Sequence, residues 1–152
     1  MKKIVIAFAM LALSFSGFSQ TCEEREQKLL ESIGTLSAGF FYNTYGLIGS
    51  LADGYEHDAY SADALTDLLD AQKKLAENMI IFLQKMLSDN IVKEQKDKDY
   101  MNASVTLLKG FKTQIDLLLN LVNNKTQKNI NAYEEQRKKN WKELSRMMGM
   151  EE

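Results

Sequence analysis

No proline occurs anywhere in the 152 residues. Apolar side chains return every third or fourth position over most of that length. Proline is the strongest breaker of a helix, and a three-four return of apolar residues is the helical period. Strict alternation of apolar and polar residues, the mark of a half-buried strand, is missing. Leu, Lys, Glu, Gln, Asn, Met and Ala dominate, and all of them tolerate helix well or tolerably. The chain is therefore expected to be all-α.

Four helical segments follow from the period. The first runs from about Glu23 to Ala52, with Leu29, Ile33, Leu36, Phe40, Thr44, Leu47 and Leu51 on one stripe. Leu30, Ser37, Phe41, Ile48 and Tyr55 flank it. Gly34, Gly39, Gly46 and Gly49 interrupt this segment. Each costs up to ~1 kcal/mol relative to alanine, so close approach of a neighbouring helix or a kink is expected as compensation. Asp53 to Ser61 reads as a connection, with Gly54 stopping one helix and Ser61 capping the next. The second segment spans about Ala62 to Leu87, with Leu65, Leu68, Gln72, Leu75, Met79, Phe82 and Met86 as its seam and Leu69, Ala76 and Leu83 beside it. Ser88-Asp89-Asn90 breaks it. The third, about Asp99 to Val122, keeps Met101, Ser104, Leu108, Phe111, Ile115, Leu118 and Val122 in register. After Asn123-Asn124, with Asn124 and Gln127 as a capping pair, a more polar fourth segment reaches Met148. Its stripe is Ile130, Tyr133, Trp141, Leu144 and Met148, with Arg137 in the middle.

Short connections between amphipathic segments predict an antiparallel up-down-up-down four-helix bundle with coiled-coil-like seams. The third turn is its weakest boundary. If the asparagines fail to break the helix, a three-helix arrangement with one long C-terminal helix results.

The N-terminus carries a different signal. Lys2 and Lys3 precede the apolar run Ile4 to Leu13, and small, polar residues follow through Ser19. These are the three parts of a secretory signal peptide, predicted over residues 1–19, with cleavage after Gln20 as the near alternative. The exit resembles those of signal peptides from Gram-negative bacteria, which sets the expected compartment as periplasmic or secreted. Residues 20–152 then form a single domain. No later apolar stretch reaches the ~20 residues that span a bilayer, so no integral membrane segment is expected after signal cleavage.

Cys22 is the only cysteine. It has no internal partner, so in an oxidising compartment it stays free or forms an intermolecular disulfide. Ser19 and Thr21 make a poor lipidation motif before it. Residues 21–70 hold ten acidic and two basic residues, whereas residues 71–152 hold fifteen basic against eleven acidic. This asymmetry would help helices select partners. The acidic balance of the exported part argues against nucleic acid as a partner.

The residues for most catalytic constellations are missing. His57 is the only histidine, and the residue three before it is Gly54. The Glu-x-x-His pairs of a dimetal bundle therefore cannot form. Cys-x-x-Cys-His is absent, zinc lacks nitrogen and sulfur ligands, and no Gly-x-Ser-x-Gly elbow exists. The acidic turn around Asp53, Glu56 and Asp58 lacks the spacing that wraps calcium. The expectation is no cofactor and no enzyme.

Aromatic residues gather between positions 40 and 60. Phe40, Phe41, Tyr42, Tyr45, Tyr55, His57 and Tyr60 are the candidate ligand or contact region, because tyrosine offers apolar area with a hydrogen-bonding tip. The plainer reading puts the phenylalanines in the core and the tyrosines on the rim. Met147, Met148 and Met150 form a terminal cluster of adaptable side chains. The sequence thus predicts an exported, non-catalytic interaction protein of the bacterial cell envelope, with another protein or a second copy as partner. The alternative is a periplasmic carrier or sensor of a small apolar ligand held between helices.

Overall fold

A computed structural model describes residues 21–150; the predicted signal peptide lies outside the described residues. The described residues contain four helices and no strand. These are α1 (Cys22–Glu56), α2 (Ala62–Ser88), α3 (Gln95–Asn123) and α4 (Gln127–Met147). The four-helix reading holds, and the three-helix alternative does not. None of these helices is long and apolar enough to cross a membrane. The described residues fall into two compact units, one ending at Ser37 and one beginning at Ala38.

In the first unit, α1 opens with a capping box. Thr21 Oγ1 accepts from the Glu24 amide at 3.1 Å, and Glu24 Oε2 accepts from the Thr21 amide at 3.0 Å. Two of the four unpaired amides of a helix start are thereby satisfied. Beyond the cap, this stretch buries little. Leu29, Ile33 and Leu36 remain 61%, 51% and 74% exposed.

In the second unit, α3 is the centre. It packs against both α2 and α4 and buries Ser104, Val105, Leu107, Leu108, Phe111, Gln114, Ile115 and Leu118. The predicted α3 seam is borne out at Ser104, Leu108, Phe111, Ile115 and Leu118. Around it sit Phe41, Ile48 and Leu51 of α1, Leu65, Leu69, Ala76 and Ile80 of α2, and Tyr133 and Leu144 of α4.

The predicted seams are also buried at Thr44 and Leu51 on α1, Leu65 on α2, and Tyr133 and Leu144 on α4, but the α1 and α2 faces turn in part from their predicted positions. On α1 the core takes Phe41 and Ile48, which the sequence placed on the flank, and leaves Leu47 41% exposed. On α2 it takes Leu69, Ala76 and Ile80, while Leu68, Leu75 and Phe82 stay 44%, 42% and 62% exposed. Both helices carry apolar residues over an arc wider than one neighbour can cover. Tertiary packing chooses the part that is buried, and the sequence period alone cannot.

Of the compensations expected for the α1 glycines, close approach of a neighbouring helix is not the one found. A Cβ at Gly34, Gly39 or Gly46 would meet nothing within 4 Å, and at Gly49 only the Arg137 guanidinium, at 3.5 Å. No close helix approach offsets their cost. The close approach is at Gly110 on α3, where a Cβ would collide with Asn140 Oδ1 on α4.

The turns follow local chemistry. Ser61 caps α2 as predicted, its hydroxyl accepting from the Ala64 amide at 3.2 Å. Gly54 does not stop α1. The helix continues to Glu56, and Asp58 takes the left-handed conformation, φ 58°. Asn90 does the same after α2, φ 51°, with the Ile91 amide reaching back to the Met86 carbonyl, the six-to-one closure of a Schellman motif. At the third turn the cap is Thr126 rather than Asn124. Its hydroxyl accepts from the Asn129 amide at 3.2 Å, and Asn129 Nδ2 donates to the Asn124 carbonyl at 2.7 Å.

Candidate functional site

The sequence-predicted candidates divide among three environments. Phe41 is core, 1% exposed, with Phe40 edge-on against it at a centroid distance of 5.8 Å. Tyr42 and Tyr45 face α4, where their rings lie 6.4 and 5.4 Å from Trp141. Tyr55, His57 and Tyr60 belong to the end of α1 and the turn after it. His57 is exposed, and its Nδ1 lies 2.9 Å from the Asp53 carbonyl. Tyr60 is 41% exposed and lays its ring over Gly54, leaving no room for a side chain there. The candidates therefore do not converge on one point.

Tyr55 lines a cleft of about 100 Å³ with Asp53, Glu56, Leu118, Lys125 and Tyr133. Sites for drug-sized ligands run to roughly 300–1,000 Å³, so this cleft suits at most a very small molecule. Among the described residues no group of three His, Cys, Asp or Glu is placed to hold a metal ion.

A buried polar layer joining α3 and α4 was not legible in the sequence. Asn140 Nδ2 donates to Gln114 Oε1 at 2.8 Å, and Gln136 Nε2 donates to Asn140 Oδ1 at 2.8 Å. Gln114 and Asn140 are 0% and 3% exposed. Gly110 makes the layer possible, because only a residue without Cβ lets the Asn140 amide approach α3 so closely. Among the described residues, Gln114 Nε2, the Tyr133 hydroxyl and Ser145 Oγ are buried and find no hydrogen-bond partner. Burial pushes the Tyr133 phenol above its ordinary 10.0. Nearby Gln114 pulls it the other way without completing a hydrogen bond. Arg137 extends the polar contacts to α1. Burial works against its charge, but a hydrogen bond with Tyr45 and neighbouring charges outweigh that and raise its pKa. The polar break at Arg137 in the α4 stripe was the one sequence sign of this layer.

Two ion pairs hold α2 on α3. Lys73 Nζ lies 2.6 Å from Asp116 Oδ1, and Lys112 Nζ lies 2.7 Å from Glu77 Oε1. The hydrogen bond to Asp116 keeps Lys73 above its ordinary value, and the one from Lys112 holds Glu77 below its own. Each helix supplies one charge of each sign. These partners thus come from within the mixed-charge half of the chain rather than from the acidic half meeting the basic one.

Each unit also leaves apolar side chains exposed. Leu29, Ile33 and Leu36 on α1, and Leu68, Leu75 and Phe82 on α2, form two stripes that the described residues leave largely uncovered. Cys22 is free and exposed at the start of α1. Comparison with known family models, curated proteins and solved structures finds none that matches this chain.

Proposed function

We propose that the chain is an exported, non-catalytic interaction protein of the bacterial cell envelope, built as an antiparallel up-down-up-down bundle and working in the periplasm or outside the cell. The observation that carries this reading is the exposed stripe Leu29, Ile33 and Leu36. Scattered exposed leucines need no explanation, but contiguous apolar stripes at helical spacing mark contact surfaces. The basic, apolar and small-residue parts of residues 1–19 support export. The antiparallel arrangement is supported by the ion pairs, since numbering rises from Lys73 to Glu77 as it falls from Asp116 to Lys112. The carrier reading for an apolar ligand gains less support, because the cleft at Tyr55 is only about 100 Å³ and the wider one of about 390 Å³ between α3 and α4 is lined mainly by polar and charged residues such as Lys109, Gln136, Lys139 and Arg146.

The test replaces Leu29, Ile33 and Leu36 together with serine in the exported protein. Chemical cross-linking of intact cells then compares the complexes formed. The expected result is a soluble protein with unchanged helicity whose cross-linked complexes are lost. Retention of every complex by the triple variant would overturn the reading.

A further inference from the structure

The cleft between α3 and α4 has a charge that the chain as a whole does not share. It measures about 390 Å³, within the roughly 300–1,000 Å³ of small-molecule sites. Its charged lining residues are Lys109, Lys139, Lys142, Arg146 and Glu143, four basic against one acidic. The whole chain is the reverse, with 19 basic and 21 acidic residues. Charges of one sign around a concave surface focus the field there and concentrate counter-ions. We infer that this cleft binds a small polyanion carrying two or more phosphoryl groups. The site shares no residue with the exposed stripe of α1, so it stands apart from the interaction reading.

Internal pairing leaves three of the cations open to a ligand. Arg146 and Glu143 occupy each other, with Nε and Nη2 of the arginine donating to Oε2 and Oε1 of the glutamate. Glu143 also lies four residues after Lys139, the spacing of an intrahelical ion pair, but both its oxygens are taken. Among the described residues Lys109, Lys139 and Lys142 have no ion-pair partner, whereas Lys73, Lys85 and Lys112 each have one. All three open lysines are exposed. Lys139 and Lys142 stand three apart on α4, where like charges repel. A bound polyanion relieves that repulsion.

The buried wall of the cleft is fixed by the protein itself. Gly110 brings the α3 backbone close to α4, and a Cβ there would collide with Asn140 Oδ1. Asn140, 3% exposed, is held by Gln114 and Gln136. Gln136 Nε2 also donates to the Gly110 carbonyl at 3.4 Å. These bonds set the spacing of the two helices that carry the lysines, so binding requires little reorganisation.

Donor chemistry narrows the class of anion. A lysine ammonium is a compact charge with three donors on a flexible stem, and it suits the several oxygens of a phosphoryl group. A carboxylate is best matched by the planar fork of arginine, which here is held by Glu143. Three ammonium groups drawn from two helices call for more than one phosphoryl group.

The test titrates the purified exported protein with tripolyphosphate in a calorimeter at low ionic strength, with citrate as the carboxylate comparison. Saturation at one tripolyphosphate per chain is expected, with citrate binding more weakly. Lys139→Gln combined with Lys142→Gln should weaken tripolyphosphate binding by about tenfold or more, the loss of two charge-assisted contacts. Lys93→Gln combined with Lys96→Gln removes the same charge at the start of α3, outside the cleft, and should weaken it by about twofold or less. Unchanged far-ultraviolet circular dichroism would show that both variants fold. Cardiolipin vesicles separate the sources of phosphate. Co-sedimentation that tripolyphosphate reverses would place the phosphoryl groups on a lipid headgroup, and no co-sedimentation would place them on a soluble molecule. The absence of saturable binding, citrate binding as tight as tripolyphosphate, or equal weakening by the two lysine pairs would overturn the inference.

Discussion

Gly110→Ala and Gly46→Ala are the same change in two helices, and the packing predicts opposite signs. Gly46 is exposed, and a Cβ there meets nothing within 4 Å. Alanine at 46 should therefore stabilise by the helix-propensity difference alone, about 0.5–1 kcal/mol. At Gly110 the new methyl group occupies the place of Asn140 Oδ1. Asn140 cannot swing aside cheaply, because it is 3% exposed and bonded to both Gln114 and Gln136. Displacing it leaves buried amide groups unpaired, at about 1–3 kcal/mol each. Set against the propensity gain, Gly110→Ala should destabilise by about 1–4 kcal/mol. Domains of this size are typically stable by about 5–15 kcal/mol, so the variant still folds and can be measured. The assay is urea denaturation followed by circular dichroism. In the Asn140→Ala background the obstacle is gone, and Gly110→Ala should become stabilising by about 0.5–1 kcal/mol. A Gly110→Ala protein as stable as wild type would refute the reasoning. So would an equal cost with and without Asn140.

Removing the α2 cap by Ser61→Ala should cost about 1 kcal/mol in the same assay. Tyr133 should titrate above its ordinary 10.0 when phenolate absorbance is followed, and Tyr133→Phe should remove that late component. The unfolded chain ionises this group first, so stability should fall as pH rises beyond 10.0. Tyr133→Phe should weaken that alkaline loss. Glu77 runs in the opposite direction. Its folded pKa is depressed by Lys112, so its contribution is present above the ordinary value of 4.5 and fades as acid titrates the folded group. Because the pair is solvated, Glu77→Gln should destabilise only slightly near neutral pH, and the difference from wild type should vanish in acid.

Helix number and most boundaries were legible because they depend on local chemistry. Ser61 as a cap and the break at Asn90 follow from side chains that compete with their own backbone. α3 was legible in depth because it is central. A helix covered by neighbours buries its whole apolar face, and the face is what the period reports. The α1 and α2 seams were legible only in part, at Thr44, Leu51 and Leu65, for the same reason inverted. With apolar residues over a broad arc, nothing local says that Phe41 and Ile48 go inside while Leu47 stays out. The polar layer was hidden because Gly110, Gln114 and Asn140 are unremarkable separately. They acquire meaning only when α3 and α4 come together. The aromatic group around Tyr42 and Tyr45 was visible, but its partner Trp141 is about a hundred residues away along the chain.

A photo-crosslinking amino acid at Leu36, compared with one at Glu31 on the opposite side of the same helix, tests the contact surface most directly. Both positions are exposed, so access to the probe is equal. Illumination of cells exporting each variant should give discrete protein adducts from position 36 and none from position 31. Adducts of equal yield from both positions, or from neither, would contradict a contact face on α1.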